Sequence, residues 1–127
     1  MTARISPLPA ADAPSQACDA ECPVRRTAEL VGYKWTTLIV RDLLPGKRRY
    51  SDLLRSVSGI SPRVLAERLR ELEGAGLLTR TVFPTVPPTT EYALTELGYG
   101  LLPVIEAMAQ FGQALAAAQQ AVPATEG

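Results

Sequence analysis

The residues of this sequence best suited to recognition chemistry are charged side chains on one face of a predicted helix over residues 62–73. At 100° per residue, Arg63, Glu67 and Arg70 share that face, with Ala66 on its flank. Arginine can donate to guanine O6 and N7, and glutamate can accept from a cytosine amine. The spacing therefore predicts a surface that reads base edges in DNA, and a purely solvated helix face is the alternative.

Signals at both ends define this helix within the stretch GISPRVLAERLRELEGAGLL. Ser61 is placed to cap it, and Pro62 occupies its first position, where a missing N–H costs nothing. Glycines after residue 73 predict the end of the helix. We expect the leading end, including Ser61 and Pro62, to approach DNA. The apolar stripe on the other side, which we expect to be buried, consists of Leu65, Leu69 and Leu72.

Positive charge is concentrated in the middle of the chain, although the formal net charge is zero. Residues 25–80 contain 12 Lys and Arg and 6 acidic side chains, whereas the flanking segments have net charges of −2 and −4. This asymmetry indicates a polyanionic partner. For Arg68, near the leucines, an ion pair with a glutamate is the alternative to a phosphate contact. The side chains expected to meet phosphates, or else to be solvated, are Lys47, Arg48, Arg49, Arg55 and Arg80.

Two cysteines could carry thiol chemistry. Cys22 is predicted at the start of a helix, where the helix dipole and the nearby Arg25 and Arg26 favour a thiolate. Two acidic residues just before it oppose that effect. Cys18, four residues earlier, could act as a resolving thiol. The alternative is an inert, buried Cys22.

Several classes of protein do not fit the sequence. The chain has no histidine, no glycine-rich phosphate loop and no nucleophile motif, so we expect no enzyme activity. Two thiols alone cannot complete a zinc site, and no cofactor or metal is expected. We expect no membrane span, because no apolar run approaches the ~18 to 20 residues that a bilayer requires. The first residues lack the apolar core of a signal peptide, so we expect a cytoplasmic protein with reduced cysteines.

The elements expected around the charged helix are mainly helical. One domain over residues 22–116 is predicted between a disordered arm, 1–21, and a frayed tail, 117–127. A β-hairpin is expected over 77–94, with a proline-stiffened connection at its tip. Three shorter helices should precede the charged one, at Pro23 to about Val31, Lys34 to Leu43 and Tyr50 to Val57, with residues 47–49 in a loop. The predicted fold class is mainly α with a small β-hairpin, in the order of a winged helix-turn-helix domain.

A long C-terminal helix is predicted to start at a Thr95 cap and to bend near Pro103. Its apolar residues repeat in steps of three and four, which is typical of a helix-pairing seam. Such a seam predicts a two-fold symmetric homodimer, and packing against its own domain is the alternative. A dimer would place two reading helices ~34 to 36 Å apart. The seam consists of Leu101, Val104, Met108, Phe111 and Leu115.

Several motifs in order resemble the HxlR-type winged helix-turn-helix transcriptional regulators of bacteria, from Cys22 to about Gly112. The resemblance implies a homodimer that binds a double-stranded DNA operator as a repressor or activator. It also implies that some members sense oxidants or electrophiles through a cysteine matching Cys22, so a small-molecule or electrophile inducer is expected. The motifs are Cys22-Pro23-Val24, Gly32 with Lys34-Trp35-Thr36, Gly59-Ile60-Ser61-Pro62, Leu65 to Glu73, Gly76-Leu77, Val86-Pro87-Pro88, and Glu91-Tyr92 to Gly98.

The sequence departs from this family at the wing, the predicted hairpin. The family commonly carries Arg or Lys just after the paired prolines, where this chain has Thr89 and Thr90. Any wing contact would then use hydroxyl or backbone groups on phosphate. Two other functions stay open: a winged-helix protein-interaction module without specific DNA binding, and a thiol redox protein using Cys18 and Cys22.

Overall fold

The computed structural model of the protein describes residues 22–121. The predicted arm over 1–21, which includes Cys18, and the residues after Ala121 lie outside the described part. The chain forms two compact units, of which the first ends at Lys34 and the second begins at Trp35.

The observed elements confirm the predicted fold class of a mainly helical winged helix-turn-helix protein with a long C-terminal helix. The first unit contains α1, and the second contains nearly all of α2 and every later element. The helices are α1 (Pro23–Val31), α2 (Lys34–Leu43), α3 (Tyr50–Ser56), α4 (Pro62–Gly74), α5 (Glu96–Tyr99) and α6 (Leu102–Ala121). The strands are β1 (Arg48–Arg49), β2 (Leu78–Phe83) and β3 (Thr89–Leu94).

The sheet has three antiparallel strands in the order β1-β3-β2. Strands β2 and β3 form the predicted hairpin, with Leu78 opposite Leu94 and Phe83 opposite Thr89. The prediction that residues 48 and 49 lie in a loop is wrong, because both pair with β3, where Arg49 lies opposite Glu91. Two residues are too short a stretch to show alternation, so only the tertiary pairing reveals this strand.

The core of the second unit is built from the apolar faces of α2, α3 and α4 and the base of the sheet. The three leucines of α4 are at most 1% exposed, as expected from their spacing. Helix α2 is buried over much of its surface, since Thr36, Thr37 and Val40 are covered as well as Ile39 and Leu43. Helix α3 contacts β1 and β3, and α4 contacts β2. The core therefore fixes α4 against the wing.

The junction after β3 is held by close backbone packing. The Thr95 hydroxyl donates to the carbonyl of Gly76 at 2.7 Å and accepts from the N–H of Gly98 at 3.1 Å. A Cβ on Gly98 would collide with the carbonyl oxygen of Leu77, so a larger residue cannot occupy this position without moving the backbone. Thr95 caps a helix as predicted, but that helix is the short α5.

The C-terminal region is two helices rather than one bent helix. Helix α5 ends at Tyr99, and α6 starts at Leu102, so Pro103 occupies the first turn of α6, where proline needs no hydrogen-bond partner. Helix α6 continues to Ala121, beyond the end expected near residue 116. None of its residues is buried.

The segment Glu96–Ala121 is long and apolar enough, by length and composition, to cross a membrane. Its most apolar window has a mean hydropathy of 1.3, and 6% of that window is buried. This corrects the expectation that no apolar run approaches the required length. A single such helix is weak evidence for a membrane span, and here the helical path is broken between α5 and α6.

Candidate nucleic-acid interface

Helices α3 and α4 are fixed to each other by a side chain at the start of α3. The hydroxyl of Tyr50 donates to the carbonyl oxygen of Pro62 at 3.1 Å, which ties the first turn of α3 to the first turn of α4. At the other end of α3, the Ser56 hydroxyl donates to Asp42 at 2.6 Å. The first bond holds α3 to α4, and the second holds α3 to α2. The charge and spacing pattern did not reveal Tyr50 in this role, because its partner is a backbone atom.

The leading end of α4 has the predicted cap. The hydroxyl of Ser61 accepts from the N–H of Val64 at 3.1 Å, and Pro62 stands at the first helical position. Both residues are exposed, so the end of α4 is open to a ligand. The Ser61 oxygen is already engaged in capping, which leaves its remaining lone pair and its proton for any further contact.

The predicted reading face of α4 is exposed opposite its leucines. The Arg63 side chain is 86% exposed, Arg70 is exposed, and Ala66 and Glu67 are partly exposed. Arg63 and Glu67 lie one turn apart and form an ion pair of 3.6 Å. The structure thus brings the four predicted residues onto one surface, on which two opposite charges neutralise each other.

Arg68 belongs to the leucine side of α4 rather than to the reading face. Its guanidinium donates to Glu71 at 2.6 Å, and its side chain is mostly buried. The structural ion pair, one of two predicted alternatives for this residue, is therefore the one observed.

Several arginines and lysines expected to meet phosphates are paired with carboxylates. Arg80 lies 3.6 Å from Glu73 on the last turn of α4. The other pairs are Lys47 with Glu91 at 3.8 Å and Arg55 with Asp52 at 2.7 Å. Within residues 22–121, no ion pair is formed by Arg48, Arg49 or Arg70. Among the described residues predicted to contact DNA, these three therefore carry a guanidinium without a carboxylate partner.

The wing is uncharged at its tip, as the sequence predicts. Residues 84–88 connect its two strands, and Val86 at the tip is 99% exposed and precedes a cis proline. The Thr85 hydroxyl donates to the carbonyl of Pro87 at 2.7 Å and lies 2.9 Å from the hydroxyl of Thr89. The tip is thus shaped by its own hydrogen bonds and presents an apolar side chain.

A buried tyrosine lies between the wing and α4. Tyr92 on β3 is 8% exposed and pairs across the sheet with Arg80. Burial raises the pKa of Tyr92 above 10.0, while the charge of Arg80 acts in the opposite direction. Sequence reasoning placed Tyr92 only within a strand, because its surroundings come from distant segments.

Cys22 stands at the predicted position before the first turn of α1. It is the N-cap residue, its side chain makes no capping hydrogen bond, and it is 7% exposed. Arg25 in the first turn is paired with Glu29 at 3.3 Å. Burial restricts the access of reagents to this thiol.

The predicted pairing seam is exposed along α6 with one exception. Phe111 is 67% exposed, and Met108 and Leu115 are also exposed, while Val104 is partly covered. The assignment of Leu101 to this seam is corrected. Leu101 precedes α6 and is 8% exposed, so it is not available to a second chain. Within the described residues, no group of three or more Cys, Asp or Glu side chains could hold a metal ion.

Comparison with known protein families gives one match that spans most of the chain. The model of the HxlR-like helix-turn-helix family matches residues 30–120. An uncharacterised HTH-type transcriptional regulator from Methanothermobacter thermautotrophicus is 40% identical over 92 residues, which are 72% of this chain and 70% of that relative.

Solved structures share the same fold. A transcriptional regulator assigned to the MarR family, from Porphyromonas gingivalis W83, aligns with a TM-score of 0.72 and 42% identity over 75% of this chain and 93% of that one. The redox regulator HypR in its reduced form aligns with a TM-score of 0.72 and 34% identity over 79% of this chain and 99% of that one. These similar proteins are regulators rather than enzymes, in agreement with the expectation from the sequence.

Proposed function

Because the chain belongs to the HxlR-like helix-turn-helix family of transcriptional regulators, we propose that it binds operator DNA sequence-specifically as a homodimer. The family resemblance predicted from the sequence motifs is thereby confirmed. In this proposal α4 lies in the major groove, and its exposed residues contact base edges.

The observation that carries this proposal is the arrangement of α4. Its leucines fix one side in the core, so the opposite side presents Arg63, Glu67 and Arg70 to solvent. Arg70 has no ion pair among the described residues and can donate to a guanine without losing a partner. Arg63 must leave Glu67 to do so, and Glu67 is then able to accept from a cytosine amine.

Binding of the full chain to the DNA upstream of its own gene tests the proposal. Fluorescence anisotropy compares that promoter duplex with a random duplex of equal length at two salt concentrations. We expect tight, salt-dependent binding that prefers the promoter. Arg63→Ala and Arg70→Ala should each reduce the preference by about 1 to 3 kcal/mol, the value of a bidentate base contact.

Arg25→Ala is the matched control, since it removes an exposed arginine from α1 and not from α4. Equal discrimination by the wild type and both α4 variants would refute base reading by these residues. Weak binding without preference would favour the protein-interaction module, which the apolar Val86 at the wing tip also suits.

The second chain of the proposed dimer would cover α6. Its exposed apolar residues repeat at the spacing of helix-pairing seams, and covering them with another protein removes them from water. We accordingly place the protein in the cytoplasm, with a second copy rather than lipid against α6. Analytical ultracentrifugation of the full chain should show a dimer.

A second regulatory step is supported by the similarity to the redox regulator HypR. In this proposal, oxidation of Cys22 by peroxide, or its alkylation by a quinone, changes affinity for DNA. Since Cys22 is buried, the chain around it must open before the thiol reacts. Cys22→Ser should abolish the response of DNA binding to these reagents. Cys18→Ser, which retains Cys22, serves as the control for the quinone, because alkylation needs no resolving thiol. An unchanged response in Cys22→Ser would exclude the sensor.

A further inference from the structure

We propose that the cleft between the start of α3 and residues 87–90 of the wing binds one phosphate of the DNA backbone, with Arg49 as its principal ligand. This inference rests on the proposed DNA-binding function and adds a site to it. The site would anchor the wing next to its tip, because the tip itself has no positive charge.

The cleft is formed by segments that are distant in sequence. One wall is Arg49, Tyr50 and Ser51, and the other is residues 87–90 of the wing, which together enclose about 350 Å³. Pairing of β1 with β3 creates this arrangement, since it holds Arg49 beside the wing strand. The cleft therefore exists only because residues 48 and 49 form a strand.

Among the residues that the structure describes, Arg49 is the one charged side chain that lines the cleft. It is exposed and has no ion pair within residues 22–121, unlike its neighbours Lys47 and Arg55. The two nearest carboxylates along the chain and sheet are already neutralised. Glu91, opposite Arg49 in the sheet, is paired with Lys47, and Asp52 is paired with Arg55. An anion in the cleft thus meets an available guanidinium and no uncompensated carboxylate from these segments.

The remaining walls suit a phosphate diester. Ser51 and Thr90 carry hydroxyls that make no hydrogen bond to another residue in the described part of the chain, so both can donate to phosphate oxygens. Tyr50 is held by its bond to Pro62, which keeps this wall at a fixed distance from the start of α4. A phosphate bound here would therefore set the register of α4 on the DNA.

A charge and salt analysis of the full chain tests the role of Arg49. Binding of the promoter duplex and of a random duplex is measured by anisotropy over a range of salt concentrations. Arg49→Gln should weaken binding to both duplexes by about tenfold for each subunit of the dimer, the lower end for hydrogen bonds to a charged group. It should also reduce the slope of log K against log salt by about 1.8, which is about 0.9 for the one phosphate that each subunit binds.

Matched variants separate the site from general charge and from folding. Arg25→Gln removes the same charge from α1 and should leave the slope unchanged. Arg49→Lys should restore most of the slope, because it restores the charge without the planar fork. Circular dichroism checks that each variant is folded, and the backbone N–H of residue 49, which donates to Asp52 at 3.4 Å, is retained in all of them.

Neutral methylphosphonates, introduced at one DNA position at a time, locate the phosphate. We expect one position in each half-site whose neutralisation weakens the wild type but does not further weaken Arg49→Gln. Equal weakening of both proteins at every position would overturn the assignment. An equal slope change in Arg49→Gln and Arg25→Gln would also overturn it.

Two further outcomes distinguish this site from neighbouring explanations. If the wild type does not prefer the promoter but Arg49→Gln still lowers the slope on the random duplex, the phosphate site is supported and the proposed sequence-specific binding is refuted. If inorganic phosphate binds the wild type without displacing DNA, and Arg49→Gln removes that phosphate binding, the cleft is a free-phosphate site and the DNA-backbone assignment is overturned.

Discussion

Helices α4 and α6 carry apolar residues at the same spacing, but only those of α4 are buried. In α4, steps of four and three separate Leu65, Leu69 and Leu72, which are at most 1% exposed. In α6, steps of four, three and four run from Val104 to Leu115, and no residue of the helix is buried. Apolar periodicity thus predicts that a helix face will be buried, but the residues that bury it can come from the same chain or from another.

The difference between the two helices has a functional consequence. Because α4 is covered by its own unit, its other side is fixed and can present charged residues with defined geometry. Because α6 is uncovered, it is the surface on which a second chain would gain the most apolar burial. In the proposed function, α4 contacts DNA and α6 pairs with a second copy of the chain.

The largest expected effect comes from removing a side chain of the α4 seam. Leu69→Ala should lower the free energy of unfolding by about 2 to 5 kcal/mol, because it leaves a cavity in a packed core. Met108→Ala on α6 is the matched change. Its cost should depend on protein concentration, since it acts on the dimer. Urea unfolding at several protein concentrations measures both, and an equal, concentration-independent loss would mean that α6 packs on its own chain.

A charge placed on the α6 seam should act on association. Phe111→Lys is expected to weaken the dimer by about 2 kcal/mol or more, as for other central interface aromatics. Gln113→Lys adds the same charge on the opposite side of α6 and should leave the dimer intact. Analytical ultracentrifugation distinguishes the two, and a dimer unaffected by Phe111→Lys would remove α6 from the interface.

A smaller change is expected on the charged side of α4. Glu67→Gln releases Arg63 from its ion pair, which should raise affinity for random DNA by up to about 1 kcal/mol, the upper range for an exposed pair. Glu71→Gln removes the same charge but releases the mostly buried Arg68, and should change DNA affinity less. Anisotropy with a random duplex checks this order, and identical effects would show that only net charge matters.

The smallest expected effect is on the pH dependence of the free energy of unfolding, and it comes from Tyr92, the buried side chain beside α4. Burial raises the pKa of Tyr92 in the folded state, so the folded protein disfavours the phenolate. The stability due to protonated Tyr92 is complete below its unfolded-state pKa of about 10 and is lost as pH rises through the higher folded-state value. Unfolding free energies measured from about pH 9 upward should fall less steeply in Tyr92→Phe than in the wild type. Parallel pH profiles would exclude Tyr92 as the cause.

Local signals made most of the helices predictable. The cap at Ser61, the proline at 62 and the leucine spacing define α4 without any distant contact. The hairpin was equally accessible, because its β-rich segments flank a proline-rich tip. The split between α5 and α6 was not predicted, since Pro103 suggested a bend, whereas the helix actually restarts there.

The sequence predicted which residues form the candidate site, but it did not predict which of their charges are paired. Arg63, Glu67 and Arg70 share a face because helical geometry alone places them there. The pairing of Arg80 with Glu73 depends on where β2 lies against α4, which no local pattern encodes. The same holds for Lys47 and Glu91, which are brought together by the sheet.

The sequence by itself determined the helix-turn-helix, the hairpin, the charged side of α4 and the apolar stripe of α6, because each depends on residues within a few turns or strand positions of one another. Only the tertiary structure decided that Arg48 and Arg49 form a strand, that Leu101 belongs to the core, and that Arg49 borders the wing. These features depend on which distant segments meet. These tertiary contacts are determined by the packing of the whole unit, in which many weak interactions form together.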